Sequence, residues 1–267
     1  MSEQEMLQVA MRAALQAGEV LMANLGKLSS DRIDLKKKFD FVTEVDKESE
    51  RVIIAEIRSV FPDHKFLAEE TARDEGGGYR WLIDPLDGTT NYIHGFPIFA
   101  VSIALERDGE IVLGVVYDPT RSEIFHAQKG GGAFLNDRQI QVSPTTDPAI
   151  CLLTTGFPFR SKEHLELYQK SFNLLFHQVS GIRRPGAVAL DFAYLASGRC
   201  DGFWEIGLAP WDVAAGFLLV QEAGGKMTDF SGGDQAIWTG NVVASNGKIH
   251  SLILGIVQQV FSGTIDR

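Results

Sequence analysis

Apolar residues first recur along this chain at helical spacing. Leu7, Ala10, Ala14, Leu21 and Leu25 predict an amphipathic helix over 5–25, and Ile53, Ile57 and Val60 a second over 46–61, stopped by Pro62. From residue 65 the period shortens. The runs KFLA, RWLID, IFAVSIALE, EIVLGVVYD and EIFHAQ read as strands of a largely antiparallel sheet, with Asp108-Gly109 as a hairpin turn and the glycines at 76–78 and 130–132 as tight turns. After a polar, proline-containing stretch at 141–149 the order becomes strand (ICLLTTG), helix (162–179), helix (187–197), strand (GFWEI), helix (212–223), two strands (KMTDF, NVVASN) and helix (247–261). A soft boundary near 145 therefore separates an N-terminal α+β domain, 1–145, from a C-terminal α/β domain, 146–267, that completes the active site.

Charge narrows the partners. The 267 residues carry 35 Asp and Glu against 25 Lys and Arg, a formal net charge of −10 with no long basic run. That balance excludes the clustered cations of a nucleic-acid binder and of a protein that docks on an anionic membrane. No apolar run reaches the roughly 18 residues that span a bilayer, and two glutamates precede the first basic residue, unlike a secretory signal. The reading is a cytoplasmic protein. Cys151 and Cys200 are far apart and in no CxxC pattern, so both are expected as buried thiols.

The densest chemistry lies in Arg80-Trp-Leu-Ile-Asp84-Pro85-Leu86-Asp87-Gly88-Thr89-Thr90-Asn91, where an apolar strand runs into two carboxylates separated by Pro85 and Leu86. Pro85 fixes the backbone between the acids so that they converge at the strand end. Gly88 and Thr89 begin a helix-like turn whose free N–H groups suit a phosphate. Paired carboxylates beside such amides are what a Mg²⁺-dependent phosphate enzyme requires, since Mg²⁺ takes hard oxygen ligands; the same residue types also build ordinary surface turns. Glu69-Glu70 follows KFLA and places an acid at a second strand end, though such a pair is also common on a solvated face. Asp212 reads locally as a helix N-cap. Glu205 stands between Trp204 and Ile206 and needs a partner there, an arginine or a ligand hydroxyl. The six histidines form no HExxH or close pair and read as structural.

Phe41-Val-Thr-Glu-Val-Asp46, Ala68-Glu69-Glu70-Thr71, the Trp81–Asn91 segment, and Trp211-Asp212-Val-Ala-Ala-Gly216 with Glu222-Ala-Gly-Gly225 stand in the order and spacing of one family. Over essentially its whole length the chain resembles the inositol monophosphatase family, and Gly181–Gly186 with Asp201–Gly207 resemble its bacterial inositol-1-monophosphatase branch. The resemblance implies an α-β-α-β-α sandwich of the inositol monophosphatase/fructose-1,6-bisphosphatase, or sugar phosphatase, type. It implies Mg²⁺, two to three ions per site: one on Glu69, Asp84 and the Leu86 carbonyl, a second on Asp84, Asp87 and Asp212, a weaker third near Glu69. It further implies catalysis by Glu69, Thr89 and Asp46, which orient and activate the water that attacks phosphorus in line. Substrate would be held by Leu86, Asp87, Gly88, Thr89, Arg183, Gly186, Ala187, Val188, Glu205 and Asp212.

The activity so implied is hydrolysis of a small-molecule phosphate monoester, inositol 1-phosphate first, with inhibition by Li⁺ and a homodimeric state in which Phe157, Phe159 and the RRPG turn at 183–186 take part. Fructose 1,6-bisphosphate, a 3′-phosphonucleotide and histidinol phosphate are rival substrates of the same fold. Two departures bear on specificity: Val188 stands where a smaller residue is frequent, and the loop at 71–80 is short. A reading from another class is a regulatory protein that binds a protein partner, with Arg183-Arg184 and exposed aromatics as its surface.

Overall fold

The computed structural model describes residues 3–27, 33–37, 40–71, 73–74, 76–159 and 161–264. Two helices, α1 (Glu3–Asn24) and α2 (Glu44–Val60), flank a hairpin of β1 (Ile33–Lys37) and β2 (Asp40–Thr43). The apolar face of α1, including Leu7, Ala10, Ala14 and Leu21, is buried, as is that of α2 at Ile53 and Ile57. Thr43 caps α2: its Oγ1 accepts from the amides of Val45 and Asp46, while Asp46 Oδ2 accepts the amide of Thr43 at 2.9 Å.

A seven-stranded sheet follows: β3 (Lys65–Ala68), β4 (Tyr79–Asp87), β5 (Ala100–Arg107), β6 (Glu110–Asp118), β7 (Glu123–Gln128), β8 (Gly132–Leu135) and β9 (Arg138–Ile140), in that spatial order. Only β3 runs parallel to its neighbour, so the expected antiparallel character holds from β4 onward. Between β4 and β5 lies α3 (Thr89–Ile93). The five-stranded sheet has the order β11 (Gly181–Arg183), β10 (Leu152–Thr155), β12 (Gly202–Glu205), β14 (Val242–Ser245) and β13 (Lys226–Asp229). Its helices are α4 (Leu165–Phe176), α5 (Val188–Ala196), α6 (Pro210–Glu222), α7 (Ala236–Thr239) and α8 (His250–Phe261).

Packing resolves into five layers. Helices α1 and α2 lie on one face of the larger sheet; α5 and α6 fill the space between its other face and the smaller sheet; α4 and α8 cover the smaller sheet outside. Three apolar cores fill the four gaps so formed: one lies between α1–α2 and the larger sheet, one between the smaller sheet and α4–α8, and one continuous core fills both sides of the middle helices. The middle layer is the most completely apolar: Val213, Ala214, Ala215, Leu218 and Leu219 of α6 are all buried, as a helix sandwiched between two sheets requires. This is the expected α-β-α-β-α sandwich.

Several short elements differ from the pattern reading. The hairpin β1–β2, the strands β8, β9 and β11, and the single turn α7 were not expected; each has three to five residues, too few for a period to register. The helix expected over 162–179 divides into a 3₁₀ turn at Lys162–His164 and α4. Asp212 is not the cap of α6 but its third residue, with Pro210 first, because proline suits the first helical position; Ala209 holds the cap.

Candidate active site

The site begins with an irregularity in a strand. Along β4, Asp84 pairs with Ser102 and Asp87 with Ala100, so three steps on one strand match two on the other. Side chains three residues apart normally point to opposite faces; one extra residue brings both acids to the same side. Pro85, which has no N–H for the ladder, sits in the bulge. Asp84 Oδ1 accepts the Leu86 amide at 3.0 Å, and Ser49 Oγ of α2 donates to the Pro85 carbonyl at 2.8 Å. The chain then turns at Gly88, which has φ +90° and lies under the Ile98 carbonyl, 3.0 Å from where a Cβ would stand, so only glycine fits.

Four acids gather on the bulge side of the resulting cleft. Asp84 and Asp87 come from β4, Glu69 from the end of β3, and Asp212 from the first turn of α6. Strand pairing sets Glu69 beside the bulge, its amide donating to the Ile83 carbonyl at 3.0 Å. Asp87 Oδ2 accepts the Ala189 amide at 2.7 Å and so caps α5 from 102 residues away, while Asp212 Oδ2 accepts the Ala209 amide at 2.8 Å. Burial, then the charges of Glu69, Asp87 and Asp212, hold Asp84 well above the usual carboxylate range. Burial, with Asp212 next, pushes Asp87 up to about 7. Asp84 and Asp87, held toward their protonated forms by burial and by neighbouring acids, would ionise more readily beside a cation.

Asp46 stands behind this group at the start of α2. Its Oδ1 accepts from the Thr89 hydroxyl at 3.2 Å, which also lies 3.1 Å from the Leu86 carbonyl, and burial raises its pKa to about 6. Glu205, at the end of β12, Gly186, Ala187 and Val188 line the cleft on the side of the smaller sheet. Arg183 does not: it is exposed on β11 with Nη1 donating to the Ile182 carbonyl at 3.2 Å, and Arg184 lines the cleft in its place. No histidine is among the cleft residues, and both cysteines are buried thiols.

Further lining residues escaped the sequence reading. Gly156 backs so closely on Glu205 that a Cβ there would fall 2.0 Å from its carboxyl carbon. Asp191 is 2% exposed, and burial, then Glu205, raises its pKa well above the ordinary value; its Oδ1 has no hydrogen-bond partner among the described residues. Its signal was available: an acid within VALDFAYLA, a helix otherwise nearly all apolar. Lys162 and Arg184 bring positive charge to the same cleft.

The cleft encloses about 390 Å³, within the roughly 300–1,000 Å³ of small-molecule sites. Among the described residues no three His, Cys, Asp or Glu side chains stand grouped so as to hold a metal ion. The donor set nevertheless fits a hard divalent cation: carboxylates and a carbonyl, no thiolate or imidazole, with mutual repulsion that a cation relieves.

The fold is the α-β-α-β-α sandwich of the sugar phosphatase type, with an acid-lined cleft at the junction of its layers. A model of the inositol monophosphatase family matches residues 2–262, and the chain belongs to that family. A Pseudomonas aeruginosa protein named Nus factor SuhB is 47% identical, over 99% of this chain and all of the relative. A Mesorhizobium japonicum protein named inositol-1-monophosphatase is 42% identical, over 98% and 99%. The crystal structure of the extragenic suppressor protein suhB from Bartonella henselae superposes with a TM-score of 0.92 at 41% identity, covering 96% of this chain and 99% of that one.

Proposed function

We propose that this protein hydrolyses a phosphate monoester in a Mg²⁺-dependent reaction, with inositol 1-phosphate as its substrate. The observation that carries the reading is the convergence of Glu69, Asp84, Asp87 and Asp212 on one cleft whose opposite wall presents Glu205. Those four carboxylates and the Leu86 carbonyl would hold two to three Mg²⁺ ions, which when bound would supply Lewis acidity to lower the pKa of water and offset charge on the leaving oxygen. Glu69 and the Thr89 hydroxyl orient the attacking water in line with phosphorus. Asp46 fixes that hydroxyl and, through it, accepts the proton released. The Gly88 and Thr89 amides receive the phosphate oxygens. Glu205 accepts hydrogen bonds from the ring hydroxyls, and Ala187 and Val188 bound the ring.

Phosphate release from a panel of inositol 1-phosphate, fructose 1,6-bisphosphate, a 3′-phosphonucleotide and histidinol phosphate, with and without Mg²⁺, tests reaction and substrate together. The expected result is Mg²⁺-dependent turnover of inositol 1-phosphate, inhibited by tens of millimolar Li⁺ and reduced about 100-fold or more by Asp87→Asn. A tenfold preference for another member of the panel overturns the substrate.

The name Nus factor on a relative as similar as 47% supports a second role beside catalysis, binding of a protein partner in the cytoplasm. Arg184, stacked 5.4 Å from the Phe157 ring with Phe157 and Phe159 exposed, offers a surface for it or for a homodimer. Partner binding or dimerisation that survives Asp87→Asn and is lost with Arg184→Ala is the expected outcome in pull-down and light scattering; loss with neither variant removes this surface from consideration.

A further inference from the structure

Helix α2 contributes Asp46 to the site, and two more of its polar side chains are as deeply buried: Ser49 at 0% and Glu50 at 1% exposure. They follow Asp46 by three and four residues, so the three share one face of the helix. Each reaches a different segment of the cleft. Asp46 meets Thr89, Ser49 holds the Pro85 carbonyl within the bulge, and Glu50 holds the chain immediately after Glu69. The Glu50 bonds are the most extensive: Oε2 accepts the Glu70 amide at 2.7 Å, Oε1 accepts the Thr71 amide at 2.9 Å, and the Thr71 hydroxyl donates to Oε1 as well.

A buried carboxylate is costly, and a fold that needed only to join α2 to the β3 edge could use apolar contacts instead. What this carboxylate fixes is the main chain of one acid. The Glu69 amide is held by the Ile83 carbonyl, its own carbonyl accepts from Arg73 Nη2 at 2.6 Å, and the next two amides are held by Glu50. Arg73 in turn stacks 4.6 Å from the Trp211 ring, beside Asp212. The same helix face therefore sets Glu69 against the Asp84–Asp87 bulge.

We propose that Glu50, assisted by Ser49, is a positioning residue for cation binding, tethering the Glu69 segment to α2 so that the carboxylate of Glu69 stands ready beside Asp84. The inference rests on the Mg²⁺-dependent reading of the cleft and concerns residues that touch neither cation nor substrate. Glu50→Gln keeps the volume but replaces one acceptor oxygen by an amide donor facing a backbone N–H. Titration calorimetry of the full chain with MgCl₂, without substrate, should show Kd raised about 10- to 100-fold, with an equal rise in the Mg²⁺ concentration for half-maximal turnover. Thr71→Val, which removes a single donor from the loop side, should shift Kd in the same direction by less, and it decides the matter if Glu50→Gln fails to fold. A lowered melting temperature with wild-type Kd in both variants overturns the proposal and leaves Glu50 a structural anchor. Wild-type protein that binds no Mg²⁺ overturns instead the metal-dependent reading on which the proposal rests.

Discussion

Gly156 shows how a residue without a side chain determines the Glu205 end of the cleft. It follows β10, and the carboxylate of Glu205 occupies the space where any Cβ would stand. Gly156→Ala must therefore push that carboxylate out of place while leaving the four acids untouched. A charge-assisted hydrogen bond is worth about 1.5–3 kcal/mol, so KM for inositol 1-phosphate should rise roughly 10- to 100-fold, with little change for p-nitrophenyl phosphate, which has no ring hydroxyls for Glu205 to bind. Equal effects on both substrates would place Glu205 outside the recognition of hydroxyls. Local sequence showed Glu205 as an acid in apolar company and in need of a partner. It gave no sign of Gly156, since a glycine after a strand is ordinary and its close approach to a residue 49 positions away exists only in three dimensions. Arg183 illustrates the converse: two adjacent arginines cannot be told apart by composition, and the chain leaves β11 between them, with Arg183 its last residue and exposed and Arg184 just beyond it lining the cleft.

Among elements, those with long periods were legible and those that shape the site were less so. Helices α1 and α2 and strands β4 to β7 appeared at nearly their observed bounds because each runs for six residues or more, long enough for one period to register. The convergence of Asp84 and Asp87 was also anticipated from Pro85, but its physical cause is a bulge, which a pattern of period two cannot register. Asp212 was read locally as a cap because Asp before an apolar helix usually is one. The preceding Pro210 moves the start of α6 back, turning the carboxylate toward Ala209 N–H and the cleft together. Asp87 does for α5 what Asp212 does for α6, so both helices of the middle layer begin at the cleft with an acid on their first amides. That arrangement joins the larger sheet to the middle layer through the acids themselves. It was unreadable in the chain because the two ends of the Asp87 bond lie 102 residues apart.

For the whole molecule, the charge of −10 acquires a location and a pH dependence. Six of its acids line one cleft, four of them gathered at the bulge, and two divalent cations on those four would bring −10 to −6. Without cations, the folded state holds Asp87 at about 7 and Asp46 at about 6, against about 4 for a carboxyl in the unfolded chain. A raised carboxyl binds more protons folded than unfolded, so its contribution to stability is complete below about pH 4 and is lost as pH rises through 6 to 7. His250 acts in the opposite sense: buried, with its pKa lowered to about 4, it withdraws stability as pH falls below about 6.5. The metal-free wild type alone would mix the two effects, whereas comparison with Asp87→Asn cancels the histidine. In metal-free buffer the variant should melt several degrees above wild type at pH 8 and close to it at pH 5, because only at the higher pH does wild type carry the repelled charge. Mg²⁺ should reverse the order at pH 8, raising the wild-type melting temperature more than that of the variant, and should have little effect on either at pH 5, where protonated acids reject the cation. Variant and wild type that differ equally at both pH values, with no Mg²⁺ increment at pH 8, would mean that the acids of the cleft are held apart by the fold and are not waiting for a cation.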